Sequence, residues 1–271
     1  MQRCLLSLFM LFAACLQAGA AHAADAGAML ALAEKPVRII RGMQLFQGVS
    51  GTQVGKDDIV ETGAAGAQVE LGADSIVALG PQTRLYLVAL GQDGKSPAEV
   101  ALLQGWIKVR SANGKTMQVA TGALKIDVAA GAVIVHSEAA RDELFADAGE
   151  QQAARLDDKG KPGAPLRIPA ENYAYTEAGK PLALLPRPAR AFIAAMPPSF
   201  RDRLSTGPAL GKAAMRPAAL ERDVAFADVD AWLTSGLAVR KTFVARFRPR
   251  LVQLLAELRI FQARTKACDE G

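Results

Sequence analysis

Between Asp58 and Leu87 the chain alternates polar and apolar residues in short runs and interrupts them with glycine at nearly regular intervals. Gln68-Val69-Glu70-Leu71 has the two-residue period of a half-buried strand, and Ser75–Leu79 and Arg84–Ala89 continue it. A helix cannot use this pattern, because a period of two scatters its apolar groups around the helix axis. Stacked β-strands can. The same texture extends in both directions, so the chain reads as β from Val37 to about Tyr175. Further strands are predicted at Glu99–Leu103, Trp106–Arg110, Met117–Thr121, Leu124–Val128, Ala132–His136 and Asn172–Tyr175. In the Leu124 strand, Leu124, Ile126 and Val128 share one face, and Lys125 and Asp127 share the other.

Turn dipeptides separate these runs: Gly80-Pro81, Asp93-Gly94 and Asn113-Gly114, the last the strongest hairpin signal. Short strands at this spacing predict a mainly β, antiparallel-rich sandwich or barrel-like domain over residues 35–180. Residues 157–164 read as a polar loop.

Leu185-Pro186-Arg187-Pro188 breaks the β pattern. The period then turns helical, which predicts a smaller α-helical region over residues 187–266. Short helices are expected at Ala189–Met196 and Ala227–Ser235. A longer one is expected from Val239 to Arg264, with Phe243, Phe247 and Leu251 on one face. Pro249 should divide it near Arg248. This region is basic, with 15 Lys and Arg against 8 Asp and Glu, whereas residues 24–186 carry 16 against 19. The contrast suggests two distinct units.

The first residues read as an export signal, residues 1–23. A short positive start precedes the apolar Leu5–Ala14, and Ala21-His22-Ala23 supplies a small-residue cleavage motif. A second reading takes Phe12-Ala13-Ala14-Cys15 as a lipoprotein box with Cys15 lipidated. Either way the expected location is the periplasm. Cys268 is the sole cysteine past the signal, so no internal disulfide is expected. His136 is the sole histidine there, which excludes any multi-histidine metal site.

Asp57-Asp58-Ile59-Val60-Glu61-Thr62-Gly63, Ala67-Gln68-Val69-Glu70-Leu71, Ser75–Leu79, Gly80–Leu85 and Leu102–Val109 together resemble the FecR domain, a family named for a periplasmic regulator of ferric citrate uptake. The resemblance covers about residues 37–135. It departs from the family at Gly72-Ala73-Asp74-Ser75, where Asp-Gly-Ser is usual, and at Ala129-Ala130-Gly131, where a Gly-Thr-x-Phe element is common. The resemblance implies a binding or sensing module. Sensor regulators of this family carry a cytoplasmic segment and a membrane helix where this chain has its signal-like segment, so a binding role is expected rather than the relay itself.

The candidate sites read mostly as structure. Gly94-Lys95-Ser96 ends like a phosphate loop, but Ala89 stands where its first glycine is required. His136 reads as a structural residue at a strand end. Asp57-Asp58, Asp74 and Asp157-Asp158 lack the spacing of a calcium loop and read as turn and capping residues. No catalytic residue, cofactor or metal is expected. The candidate functional surface is basic: Arg240, Lys241, Arg246, Arg248 and Arg250, interleaved with Phe243 and Phe247. It suits an anionic envelope surface such as phospholipid or lipopolysaccharide; nucleic acid is not expected. The expected function is a non-catalytic envelope module that binds or scaffolds another envelope protein or polymer. The alternatives are an accessory regulator acting through a separate membrane partner, and a carboxylate-based hydrolase.

Overall fold

A computed structural model of the chain describes residues 28–71, 75–91, 96–112, 116–138, 140–206, 215–249 and 252. The expected signal segment with Cys15 lies outside these, as do Asp74, Asp93-Gly94, Asn113-Gly114, Arg250 and Cys268.

Two facing sheets share one core, and each grows along the molecule in chain order. The first contains β1 (Ala28–Ala33), β4 (Thr52–Val54), β6 (Ala67–Leu71), β7 (Ser75–Leu79), β12 (Gly131–Glu138), β13 (Arg141–Ala148), β16 (Tyr173–Glu177) and β17 (Ala183–Leu185). The second contains β2 (Val37–Arg41), β3 (Gln44–Gly48), β5 (Ile59–Glu61), β8 (Arg84–Leu90), β10 (Met117–Ala120), β11 (Leu124–Val128), β14 (Gln151–Arg155), β15 (Leu166–Ile168) and β18 (Ala219–Asp223). The class is therefore the expected one: mainly β and mostly antiparallel, with the helices among the described residues all past residue 186. Ile39, Val60, Leu85, Val100, Val119 and Ile126 of the second sheet face Leu30, Val69, Val77, Ile107, Val133 and Val135 of the first. Each of these side chains contributes roughly 1.5–3 kcal/mol by leaving water.

One strand belongs to both sheets. β9 (Ala98–Ser111) pairs with β8 through Gln104 and with β7 and β12 from Gly105 onward. The two strands expected at Glu99–Leu103 and Trp106–Arg110 are thus one. β10 then lies parallel to the start of β9, Met117 beside Ala98. A straight β9 would carry its ends roughly 43 Å apart, yet the six steps from Ser111 to Met117 span at most about 22 Å. The strand must therefore bend sharply between the sheets. This also corrects the reading of Asn113-Gly114, because the strands on either side of it do not form a hairpin.

The bend is at Gly105, whose φ is +94°. A Cβ there would lie 2.5 Å from Thr83 Oγ1 and 2.7 Å from Thr83 Cα. The close approach is used: Trp106 N–H donates to Thr83 Oγ1 at 3.0 Å, and that hydroxyl donates to the Trp106 carbonyl at 3.1 Å. Thr83 N–H donates in turn to Thr62 Oγ1 at 2.9 Å, which donates to the Gly80 carbonyl at 2.7 Å. Three crossings between sheets, after β5, after β7 and within β9, meet in this one buried knot.

The C-terminal segment shares its core with the sandwich on both outer faces. α1 (Arg190–Ala195) and a 3₁₀ turn at Pro198–Arg201 place Phe192, Met196 and Phe200 against Trp106, Ile134 and Tyr173 of the first sheet. α2 (Phe226–Thr234) and α3, residues 240–249, place Trp232, Phe243 and Phe247 against Ile40, Ile59 and Tyr86 of the second. The first two helices fall where expected, within one residue at each end. Pro249 is the last described residue of α3. The expected second half, apart from Val252, lies outside the described residues. No helix among the described residues is long and apolar enough to cross a membrane.

The segment also closes one end of the sandwich. β18 pairs with β3, and Arg216 exchanges backbone bonds with Gly51 and Gln53 beside β4. At the far end the edge strands β15 and β17 have three residues each, flanked by Pro165 and Pro169 and by Pro181 and Pro186. Short strands bounded by proline resist further strand addition.

Lys108 anchors the segment. It is 1 % exposed, and its ammonium donates to the carbonyls of Phe200 (2.8 Å) and Asp202 (2.9 Å) and pairs with Asp147 at 2.8 Å. All three of its donors are satisfied.

Two outcomes are expected. Gly105→Ala combines a disfavoured φ with a backbone clash and should cost roughly 2–4 kcal/mol in urea unfolding. Lys108→Ala should cost about 2–4 kcal/mol, and limited proteolysis should then cut first within residues 187–206.

Candidate binding groove and basic helix face

Along the side where the chain turns between sheets lies a groove of about 1060 Å³. Its floor is made of the corners themselves: Gln82, Gln104-Gly105, Gly122-Ala123 and Ala178-Gly179. Its walls are the β12–β13 turn, Leu156-Asp157-Asp158 after β14, and Ala231–Leu237 at the end of α2.

The ionisable groups here are mostly occupied by the fold. Asp142 is buried and accepts from Thr121 Oγ1 (2.6 Å) and Ala123 N–H (2.8 Å). Asp157 Oδ1 accepts from the backbone of Lys159 and Lys161, the turn role expected for it. Glu138 and Asp158 stand exposed on the walls. Arg155 Nε is buried and makes no hydrogen bond.

His136 stacks on Trp106 at 4.1 Å and shares its Nδ1 with Glu143 Oε2 at 2.9 Å. Ser137 points to the other face of β12, as strand alternation requires, and is buried. The two therefore make no nucleophile–base pair. Glu143 also accepts from the Tyr173 hydroxyl and pairs with Arg141 Nε at 3.0 Å; Arg141 in turn reaches Glu177 at 2.8 Å. Among the described residues no cluster of three His, Cys, Asp or Glu could hold a metal ion.

The family-motif acids are structural too. Asp58 receives both Arg41 Nε (2.9 Å) and Nη2 (2.6 Å), together with Gly55 N–H at 2.8 Å. Asp57, with φ +69°, accepts the Tyr86 hydroxyl at 2.6 Å. Glu61 accepts Trp232 Nε1 at 3.1 Å and pairs with Arg38, which also holds Asp228 at the start of α2.

Of the five basic residues singled out, α3 separates four. Arg246 turns inward and donates to the carbonyls of Asp57 (2.6 Å), Gly42 (3.0 Å) and Ile40 (3.2 Å). Burial lowers its pKa from the usual guanidinium value. Arg240, Lys241 and Arg248 stay exposed beside Val244 and Ala245, around a shallow groove of about 470 Å³. Arg250 lies outside the described residues.

The network around Glu143 was not anticipated from sequence, and the charged triplet Arg141-Asp142-Glu143 opposite His136 was its one visible sign. Burial alone would push the Glu143 carboxyl up, but hydrogen bonds from His136, Tyr173 and Arg141 outweigh it and hold the group at about 2. A carboxylate lowered on folding contributes stability that is complete above its unfolded pKa, about 4.3, and is lost as pH falls toward the folded value. Between pH 5 and pH 2 the protein should therefore lose about 2 kcal/mol more than Glu143→Gln, measured by urea unfolding across that range.

Residues 58–168 match the family model described as FecR protein. No curated protein matches the chain. Among solved structures, the chain is similar to two crystal structures of a candidate anti-sigma factor from Parabacteroides distasonis. The first has 15% identity and a TM-score of 0.41, covering 50% of this chain and 63% of that one. The second has 16% identity and a TM-score of 0.41, covering 51% and 64%. The chain thus spans less than two thirds of either. From the Asp58 clamp to the end of β15, this chain carries a FecR domain.

Proposed function

We propose that the protein is an exported, non-catalytic binding or scaffolding module of FecR type, and that its groove side meets another envelope protein or polymer. The observation that carries this reading is the groove itself. Its floor is built from the corners of the fold, and its walls present exposed polar groups. Several ionisable groups of the groove are already engaged by the fold: Asp142 and Asp157 accept hydrogen bonds, and His136 is held by Trp106 and Glu143. The family match favours a second reading, an accessory regulator of envelope sensing that acts through a separate membrane partner.

Ala178 and Thr234 line the groove and are exposed. The double variant Ala178→Trp and Thr234→Trp fills the groove without changing charge, and surface changes of this kind usually alter stability by less than about 0.5 kcal/mol. Cross-linked affinity capture from envelope fractions should recover a protein or polymer with the wild type. The variant, at unchanged Tm, should recover it at least about tenfold less well. Recovery of no partner, or equal recovery by both, counts against the reading. A partner that is itself a membrane signalling protein would favour the regulator.

A further inference from the structure

We infer that the outward face of α3 docks the protein on an anionic phospholipid surface. The helix cannot roll to hide this face. Phe243 and Phe247 are buried on its inner side, with Phe243 edge-on to Tyr86 at 4.7 Å and beside Trp232 at 5.1 Å. Arg246 fixes the flank through its three backbone carbonyls. At 100° per residue, Lys241, Ala245 and Arg248 then point away from Phe243 and Phe247, with Val244 at the edge of that face and Arg240 exposed at the first residue of the helix.

The charges on this face are not consumed within the molecule. The side chains of Arg240, Lys241 and Arg248 make no ion pair or hydrogen bond with another described residue, in contrast to Arg246. Val244 stands among them, 39% exposed, and Val252, three residues past Pro249, is 61% exposed. Guanidinium and ammonium groups suit phosphate oxygens, and apolar side chains between them suit the boundary between headgroups and acyl chains. A soluble polyanion would use the cations and leave the valines in water.

The test is sedimentation of the purified protein with vesicles of phosphatidylglycerol and phosphatidylcholine, against phosphatidylcholine alone. Binding is expected only to the first, and it should weaken steeply between 50 and 200 mM NaCl. The triple variant R240Q/K241Q/R248Q should bind about 100-fold less tightly. Val244→Asp should also weaken binding. All four positions are exposed, and circular dichroism should confirm unchanged folding. The groove-filling double variant should bind vesicles like the wild type, so this inference and the groove reading can fail separately. Absence of binding at 50 mM NaCl, equal binding to both vesicle types, or wild-type binding by the triple variant would overturn the inference. So would equally tight binding of polyphosphate together with no effect of Val244→Asp.

Discussion

The structure depends on a contact between two backbones. At Gly105 the chain of β9 passes so close to Thr83 that no side chain fits between them, and the Thr83 hydroxyl bonds both polar backbone groups of Trp106. Through Thr62 the same knot fixes the crossings after β5 and β7. The two sheets are therefore positioned at a common corner, and their register is set where the chain moves from one to the other. The core packs the inner faces together, but hydrophobic burial is non-directional. The corner decides which residues face which.

From that corner the remaining parts follow in sequence. β10 can return beside the start of β9 because β9 is bent, and the later hairpins add to each sheet in turn. This leaves two outer apolar faces, and a two-sheet sandwich cannot cover them itself. The C-terminal segment covers both. It is held at polar points within the apolar contact: Lys108 on one face, Arg246 and the Glu61–Arg38–Asp228 cluster on the other. Apolar contact supplies most of the attachment, and the polar bonds fix its position, because a buried charge without its partners is costly.

The parts of this legible in the sequence are those where local pattern and environment agree. β6 and β11 fall at the positions expected from alternation, because one face of each is core and the other only half-buried. β13 was not anticipated. Its Arg141-Asp142-Glu143 looks like a solvated turn, yet Asp142 and Glu143 are buried and accept hydrogen bonds from Thr121, Ala123 and Tyr173, 19 to 30 residues away. Asn113-Gly114 has the chemistry of a tight hairpin, and the bend at Gly105, eight residues earlier, overrides it. Lys108 reads as the polar member of an alternating strand, and only the arrival of Phe200 and Asp202 makes it an interior residue. Arg246 is indistinguishable in sequence from Arg240 and Arg248. Its role is set by the carbonyls of Ile40, Gly42 and Asp57, about two hundred residues away along the chain.

The same distinction explains what a family motif of this kind can convey. Asp58, Thr62, Gly80, Thr83 and Gly105 are consumed in holding the corner and the start of β5. A chain that keeps them keeps the sandwich whatever it binds. The surfaces free to meet a partner are built from other residues: the turns at 137–142, 156–158 and 178–179, the end of α2, and the outward side of α3. Several of these lie outside residues 58–168. If the groove and the helix face bind as proposed, specificity in such a module resides in the turns and in the C-terminal cover. Two chains that share the corner can bind unrelated partners without changing a residue of the motif.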